Sequence, residues 1–275
     1  MSANQRMTNL PRVINWIASY PKSGNTWVRF LLLNLIYGPQ SSTEKLDALI
    51  PDIHKLAGQL RIPADSNVLI KTHFQLSTSM PLFNHTAGFI YIVRNPIDTM
   101  ISNLNYAFTM HGIVNDPGIR DKIKKQYIEQ FISNRGDPNW IRLGRGSWVE
   151  NVRSWITNDP GFPSLVLKYE DMLADPVPQL GKISNFLGLG SPQADLLSAV
   201  NNSSFGRMKE IEEKELARKI RGFYLSENSE KGIAEGNRFM FRGKAGEGEK
   251  ELTRSQRERF MEQFGPTIEL AGYQL

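Results

Sequence analysis

The segment Ser19-Tyr-Pro-Lys-Ser-Gly-Asn-Thr-Trp27 joins two apolar runs, Val13 to Ala18 and Val28-Arg-Phe-Leu-Leu-Leu-Asn-Leu-Ile-Tyr37. The first run reads as a buried strand and the second as a buried helix. A strand, a tight glycine-containing turn and a helix form an anion cradle. The first amides of a helix lack internal partners, and the helix dipole favours negative charge there. Lys22 adds a mobile cation within the same turn. The spacing differs from GxxxxGK[ST]: Lys22 precedes Gly24 by two residues, and no GK[ST] occurs in the chain. The turn is therefore P-loop-like without being an ordinary ATPase loop. A purely structural strand-turn-helix is the competing reading.

With 275 residues the chain can bury a sizeable core, and it is read as one domain over 1–275 with a flexible segment at 1–12. Lys and Arg number 33 against 28 Asp and Glu, a formal charge of +5, which favours an anionic ligand. The basic residues are dispersed, which argues against a nucleic-acid partner. Zero cysteines exclude disulfides, thiol nucleophiles and Cys-based zinc sites. Met1 to Arg12 is polar and lacks the apolar segment of a secretory signal. Phe30 to Tyr37 and Ala87 to Val93 are too short to span a bilayer. A soluble, cytoplasmic protein without a membrane partner is expected.

Further apolar runs alternate with helical patterns. Val68 to Ile70, Gly88 to Val93 and Leu165 to Leu167 read as strands, followed by Lys71-Thr-His73, Arg94-Asn-Pro96 and Lys168-Tyr-Glu-Asp171. Pro96 suits the first turn of a helix carrying Ile97, Met100, Ile101 and Leu104 on one face. Trp148, Val152, Trp155 and Ile156 form a second stripe, and Leu180, Ile183 and Leu187 a third. Thr253 and Ser255 both offer N-cap oxygens to a last helix, with Ser255 and Glu258 spaced as a capping box. Short all-apolar strands separated by helices predict an α/β domain with a central parallel sheet flanked by helices. The stretches 106–145 and 206–251, polar and rich in glycine and charge, read as loops or lids.

Ligands of such sheets lie at the carboxyl ends of the strands. There the chain places Lys22, then Lys71 and His73, then Arg94, then Tyr169. Converging cations with one histidine suit a polyanionic ligand and a proton transfer. Taken singly, each has a plainer reading: a turn histidine, an Arg94–Asp98 pair, a Tyr169 that fills core space.

The conjunction resembles the cytosolic-type sulfotransferases, which use 3′-phosphoadenosine 5′-phosphosulfate. Four blocks match in order: SYPKSGNTW at Ser19 to Trp27, KTH at Lys71 to His73, RNPIDTMIS at Arg94 to Ser102, and RGKAG at Arg242 to Gly246. GSWVENVRSW, KYEDML and SSFGRMKE also look like family segments. The resemblance implies that Lys22, Ser23, Gly24, Asn25, Thr26 and Trp27 hold the 5′-phosphosulfate end and the adenine. It implies that Arg94 and Ser102, with Arg242, Gly243 and Lys244, clamp the 3′-phosphate, and that Phe205 and Tyr169 contact the base. His73 becomes the general base, with Lys22 and Lys71 beside the transferring group; the product would be adenosine 3′,5′-bisphosphate. No metal is required, since His54, His73, His85 and His111 show no ligand spacing.

The chain also departs from the family pattern. Glu247-Gly-Glu249 stands where Asp-Trp-Lys is frequent, and Glu249, Thr253-Arg254 and Glu258 do not fit the usual dimer motif, which leaves the oligomeric state open. Without apolar anchors, the stretch from Arg242 to Leu252 is expected to be mobile, with Arg242 and Lys244 unpartnered until a phosphate arrives. Gly248→Trp would then bind the bisphosphate product more tightly. Phe108, Met110, Ile113 and Trp140 either line an acceptor pocket or pack a loop. The acceptor is read as a small molecule, with a compact secondary metabolite preferred over a long polysaccharide, sulfated on a hydroxyl or an amine. Two other classes remain in view: a nucleotide kinase-like enzyme, opposed by the missing GK[ST], and a non-catalytic bisphosphate-binding module, opposed by the presence of Lys22 and His73.

Overall fold

The computed structural model describes residues 13–56, 67–157 and 161–273; the expected flexible segment 1–12 lies outside them. Four strands, β1 (Ile14–Ser19), β2 (Val68–Thr72), β3 (Thr86–Val93) and β4 (Ser164–Lys168), form one sheet in the order β2-β1-β3-β4. Every pairing is parallel, with Ile17 opposite both Lys71 and Ile90. β1 thus lies inside the sheet, and the chain switches direction across it, which opens a crevice at the carboxyl ends of β1 and β3.

Side-chain alternation sorts the core into two layers. Trp16, Ala18, Phe89, Tyr91 and Val93 face one way. They pack on α2 (Pro96–Met110), α3 (Pro117–Ser133), α5 (Trp148–Ile156) and α10 (Arg254–Leu270). Ile17, Ile90, Ile92 and Leu167 face the other way, onto α1 (Asn25–Tyr37), α7 (Pro176–Phe186) and α8 (Gln193–Asn202). Both faces being covered explains why the strands are apolar throughout instead of alternating. The stripes read on α2, α5 and α7 point inward, with Met100, Trp148, Trp155, Leu180 and Ile183 at most 1% exposed.

The structure corrects several boundaries. Lys71 and Thr72 belong to β2 itself, because Lys71 pairs with Ile17 and its amide also donates to the Pro51 carbonyl at 2.9 Å. Helix α1 begins at Asn25, so the last third of the expected turn is already helical. The stretch 106–145 is mostly helix: the end of α2, then α3 and α4 (Pro138–Arg142). Residues 205–217 likewise form α9 (Phe205–Ala217), which follows the short α6 (Tyr169–Ala174) and α8 in the chain. Helix α3 buries only Tyr127, Ile128, Phe131 and Ile132 near its end, so its polar first half hides the periodicity. Its start was nevertheless marked, by Asp116 capping the Ile119 amide with Pro117 next to it. In α10 the cap is Thr253, whose extended backbone and reciprocal bonds with Gln256 form the capping box; Glu258 pairs with Arg254 instead.

This assignment separates two neighbouring hydroxyls. Thr253→Ala should cost about 1 kcal/mol of unfolding free energy, the usual loss for an N-cap, whereas Ser255→Ala should change it by only a few tenths. Urea unfolding of both variants reads the difference; equal losses would contradict the capping assignment.

Candidate active site

The turn after β1 is built for close approach of an anion. Lys22 and Gly24 both take left-handed backbone angles, φ 70° and 103°. A Cβ on Gly24 would come within 2.5 Å of the Tyr169 ring, so glycine is required for that contact as well as for the turn. The amides of Trp27 and Val28 donate to the Gly24 carbonyl at 2.9 and 3.2 Å, whereas those of Gly24, Asn25 and Thr26 find no acceptor among the described residues. Asn25 folds back to donate to the Ile17 carbonyl at 2.9 Å, tying the start of α1 to β1. Ser23 lies beneath the turn, with its buried Oγ lacking a partner. The cradle opens into a cleft of about 460 Å³.

Around this cradle the other strand ends converge. Arg94 donates to the Lys22 carbonyl at 3.2 Å and the Lys244 carbonyl at 3.0 Å, and its guanidinium sits 4.4 Å from the centre of the Tyr169 ring. It forms no pair with Asp98. Trp27 meets Tyr169 edge-on at 5.8 Å. Ser102 faces the cleft from α2, and Phe205, first residue of α9, lies against Gly243 so closely that no side chain would fit there. Of the residues expected at the site, all but Ser23 line this cleft.

Lys22 and His73 are among the cleft groups whose protonation is perturbed. The Lys22 ammonium lies 3.8 Å from the Phe239 ring centre and 4.7 Å from that of Tyr106, a partly desolvated aromatic setting. Burial, aided by the Arg94 charge, lowers its pKa to about 7. His73 Nδ1 lies 2.7 Å from the Ser19 carbonyl oxygen. A carbonyl only accepts, so Nδ1 carries the hydrogen and Nε2 keeps its lone pair. Burial and the charge of Lys71 hold the His73 pKa well below the usual imidazole range, so the ring is neutral at pH 7.

Behind His73 stand two site residues that sequence reasoning missed, His54 and Asp52, the latter paired with Lys71. The His54 Nε2 accepts the His73 backbone amide at 2.9 Å, and the two rings stack at 5.8 Å. Burial, with Lys71 adding to it, lowers the His54 pKa to about 3. The Lys71 ammonium is buried and paired with Asp52 at 2.7 Å. Burial lowers the Lys71 pKa to about 8 and Asp52 partly offsets that, so the pair stays ionised at neutral pH. Asp52 and His54 follow no strand, and no local pattern distinguishes them from surface residues. Tyr106 and Phe239 escaped notice because both fell in stretches read as loops. Phe108 is core, whereas Met110 and Trp140 line the cleft.

The segment expected to be mobile is instead anchored. Asp98, near the start of α2, accepts the amides of Gly246 at 2.7 Å and Gly248 at 2.9 Å. Arg242 already pairs with Glu251 at 3.2 Å, and Lys244 with Glu247 at 3.6 Å. A Cβ on Gly248 would sit 2.9 Å from both Asp98 and Ile97, so the tryptophan expected to tighten product binding has no room here without displacing this segment.

Among the described residues no His, Cys, Asp or Glu cluster is placed to hold a metal ion, and no helix is long and apolar enough to cross a membrane. The Sulfotransferase domain family matches residues 14–272, and the chain belongs to that family. It is 29% identical over 205 residues to Sulfotransferase 1C2 of Oryctolagus cuniculus, covering 70% of this chain and 65% of that relative's length. Against Sulfotransferase 1C2 of Homo sapiens the identity is 27% over 267 residues, covering 92% of this chain and 82% of the relative. The crystal structure of mouse sulfotransferase SULT7A1 complexed with PAP shares the fold, with a TM-score of 0.65, 23% identity, and coverage of 98% of this chain and 90% of that one.

The Asp98 anchor predicts a measurable effect. Asp98→Ala removes a charged acceptor from two amides, so hydrogen exchange at Gly246 and Gly248 should speed up by about ten- to a hundredfold, matching about 1.5–3 kcal/mol for such a bond. Exchange rates unchanged by the substitution would show that the segment is held by something else.

Proposed function

We propose that this chain, as one sulfotransferase domain in the cytoplasm, transfers a sulfuryl group from 3′-phosphoadenosine 5′-phosphosulfate to a hydroxyl or amine of a small-molecule acceptor. The observation that carries the reading is a single cleft holding both an open amide cradle and a neutral imidazole whose Nε2 is free to take a proton. The cradle fits a polyanion: three unsatisfied amides, Lys22 and Arg94 converge there, and the volume suits a nucleotide-sized ligand. When bound, the donor supplies the sulfuryl group and a phosphate leaving group.

The residues divide the work by position. The amides of Gly24, Asn25 and Thr26 take the 5′-phosphosulfate, over the buried Ser23. Lys22 leaves its aromatic setting for an anionic partner and stabilises charge that grows on the leaving oxygen. Arg94 exchanges two carbonyls for the 3′-phosphate, a charge-assisted and geometrically matched partner. Ser102 and the Arg242-Gly243-Lys244 turn complete that clamp. The pairs of Arg242 and Lys244 with glutamates are partly exposed, so giving them up costs little. Trp27, Tyr169 and Phe205 hold the adenine between rings. His73 Nε2 removes the acceptor proton, with Ser19 fixing the tautomer and His54 the backbone. Lys71, balanced by Asp52, keeps His73 in its basic form between turnovers.

His73→Ala should lower sulfuryl transfer by roughly a hundredfold or more while calorimetric affinity for adenosine 3′,5′-bisphosphate stays within about twofold. Loss of binding together with turnover would assign His73 to the fold instead. The low pKa of Lys22 makes a second prediction. Above pH 7 the free amine is largely neutral, and a polyanion raises its pKa, so binding takes up a proton. Bisphosphate affinity should fall as pH rises from 7 to 9. Calorimetry in buffers of different ionisation enthalpy should show proton uptake that disappears in Lys22→Met; uptake that persists in the variant would place the titration elsewhere.

A further inference from the structure

Eight cations line the cleft, and most already have a carboxylate. Arg29 and Lys55 share Asp47, Lys71 has Asp52, Arg242 has Glu251, and Lys244 has Glu247. Lys22, Arg94 and Arg145 have none among the described residues. Lys22 and Arg94 are joined to each other and belong to the cradle between β1 and β3. Arg145 belongs elsewhere.

Its backbone is fixed beside the proposed base. Asn151 Nδ2 donates at 3.0 Å to the Arg145 carbonyl and at 3.0 Å to the His73 carbonyl, while its Oδ1 accepts from the Tyr91 hydroxyl at 2.9 Å. The Arg145 amide donates to the Trp140 carbonyl at 2.9 Å. His73 follows β2, on the side of β1 away from β3, so Arg145 lies on the opposite flank from the donor cradle. Its side chain is held loosely by comparison. One Nη donates to the Leu143 carbonyl at 3.1 Å, the guanidinium lies 5.3 Å from the centre of the Trp140 ring, and the buried Nε has no partner among the described residues. Burial weakens its hold on the charge, with only the more distant Asp52 and Tyr106 acting in the other direction. A partly desolvated guanidinium with spare donors is a site awaiting a planar anion. Around it stand flat walls: Trp140 and Tyr106 at 6.0 Å, and Tyr106 and Phe239 at 6.3 Å.

We propose that Arg145 is a specificity-determining residue that binds a carboxylate on the acceptor, so that the preferred acceptors are hydroxyaryl carboxylic acids. The inference rests on the transferase reading above for the word acceptor, but the anion subsite stands on its own geometry. Trp140 and Tyr106 form one aromatic wall against which the ring of such a molecule lies, Arg145 takes its carboxylate, and the hydroxyl is left to point toward His73 Nε2. A neutral phenol would fill the same walls but leave the guanidinium unpaired.

The test is calorimetric binding of a panel of hydroxyaryl carboxylic acids and their methyl esters to the protein saturated with adenosine 3′,5′-bisphosphate. At least one acid should bind about ten- to a hundredfold more tightly than its ester, as expected for a charge-assisted bond in a partly buried site. Arg145→Gln should remove that discrimination while bisphosphate affinity stays within about twofold, which also reports that the variant is folded. Arg145→Lys, which keeps the charge but not the fork, should retain part of it. Acids and esters binding alike in the unmodified protein, or a preference that survives Arg145→Gln, would overturn the proposal. Transfer assays with labelled donor separate the two readings. Discrimination in binding without transfer to any panel member would count against the transferase assignment and leave the carboxylate subsite in place. If transfer occurs, the acid-to-ester ratio of kcat/KM should collapse in Arg145→Gln, mainly through KM.

Discussion

Strand β1 is paired along both edges and covered on both faces, and the backbone carbonyls at its end organise the site. Ile17 accepts from Asn25, Ser19 from His73, and Lys22, just beyond the strand, from Arg94. One helix start, one neutral imidazole and one guanidinium are thereby registered against a single rigid rod. Tying side chains to the end of a buried strand limits their movement far more than loop attachment would. The same parallel pairing forces each strand to end on the same side of the sheet. Groups far apart in the chain, Lys22, His73, Arg94 and Tyr169, meet there because the strands they follow pair side by side.

Electrostatics in the cleft separate into two kinds of cation. Those balanced by carboxylates, such as Lys71 with Asp52, are settled before any ligand arrives and set the potential around His73. Those without carboxylates carry an unmet preference for an anion. Lys22 illustrates the second kind: its burial and the nearby Arg94 charge lower the pKa of the amine. A cation that gains charge as its ligand binds couples affinity to pH. Asp98 has a different task, holding the amides of the 246–248 turn so that Arg242 and Lys244 sit at the cleft mouth. That segment is already in place, with Arg242 paired to Glu251 and Lys244 to Glu247.

Much of the fold was legible in the chain. All-apolar strands announce a doubly covered parallel sheet, and helix stripes such as Trp148, Val152 and Trp155 point inward as their spacing requires. The polar residues at strand ends fell where a ligand crevice should be. Helix α3 was not legible, since it rests on the core by a few residues near its end and its exposed half looks like a loop. The 242–252 segment misled for a related reason. Its anchor is a carboxylate on another helix that accepts backbone amides, and backbone donors look the same in every sequence.

The sequence by itself determined the strand-turn-helix cradle, the sheet type and the family, because each rests on local order: apolar periodicity, one glycine in a left-handed turn, and short motifs read in succession. Only the tertiary structure decided the tautomer of His73, the pairing of Lys71 with Asp52, the stacking of His54 on His73 and the lack of a carboxylate partner for Arg145 among the described residues. Each of these depends on distances between residues tens of positions apart, and on how much water is excluded around them. Local pattern specifies which groups a chain owns; burial and long-range proximity set their protonation and their free partners, and those exist only once the sheet has closed.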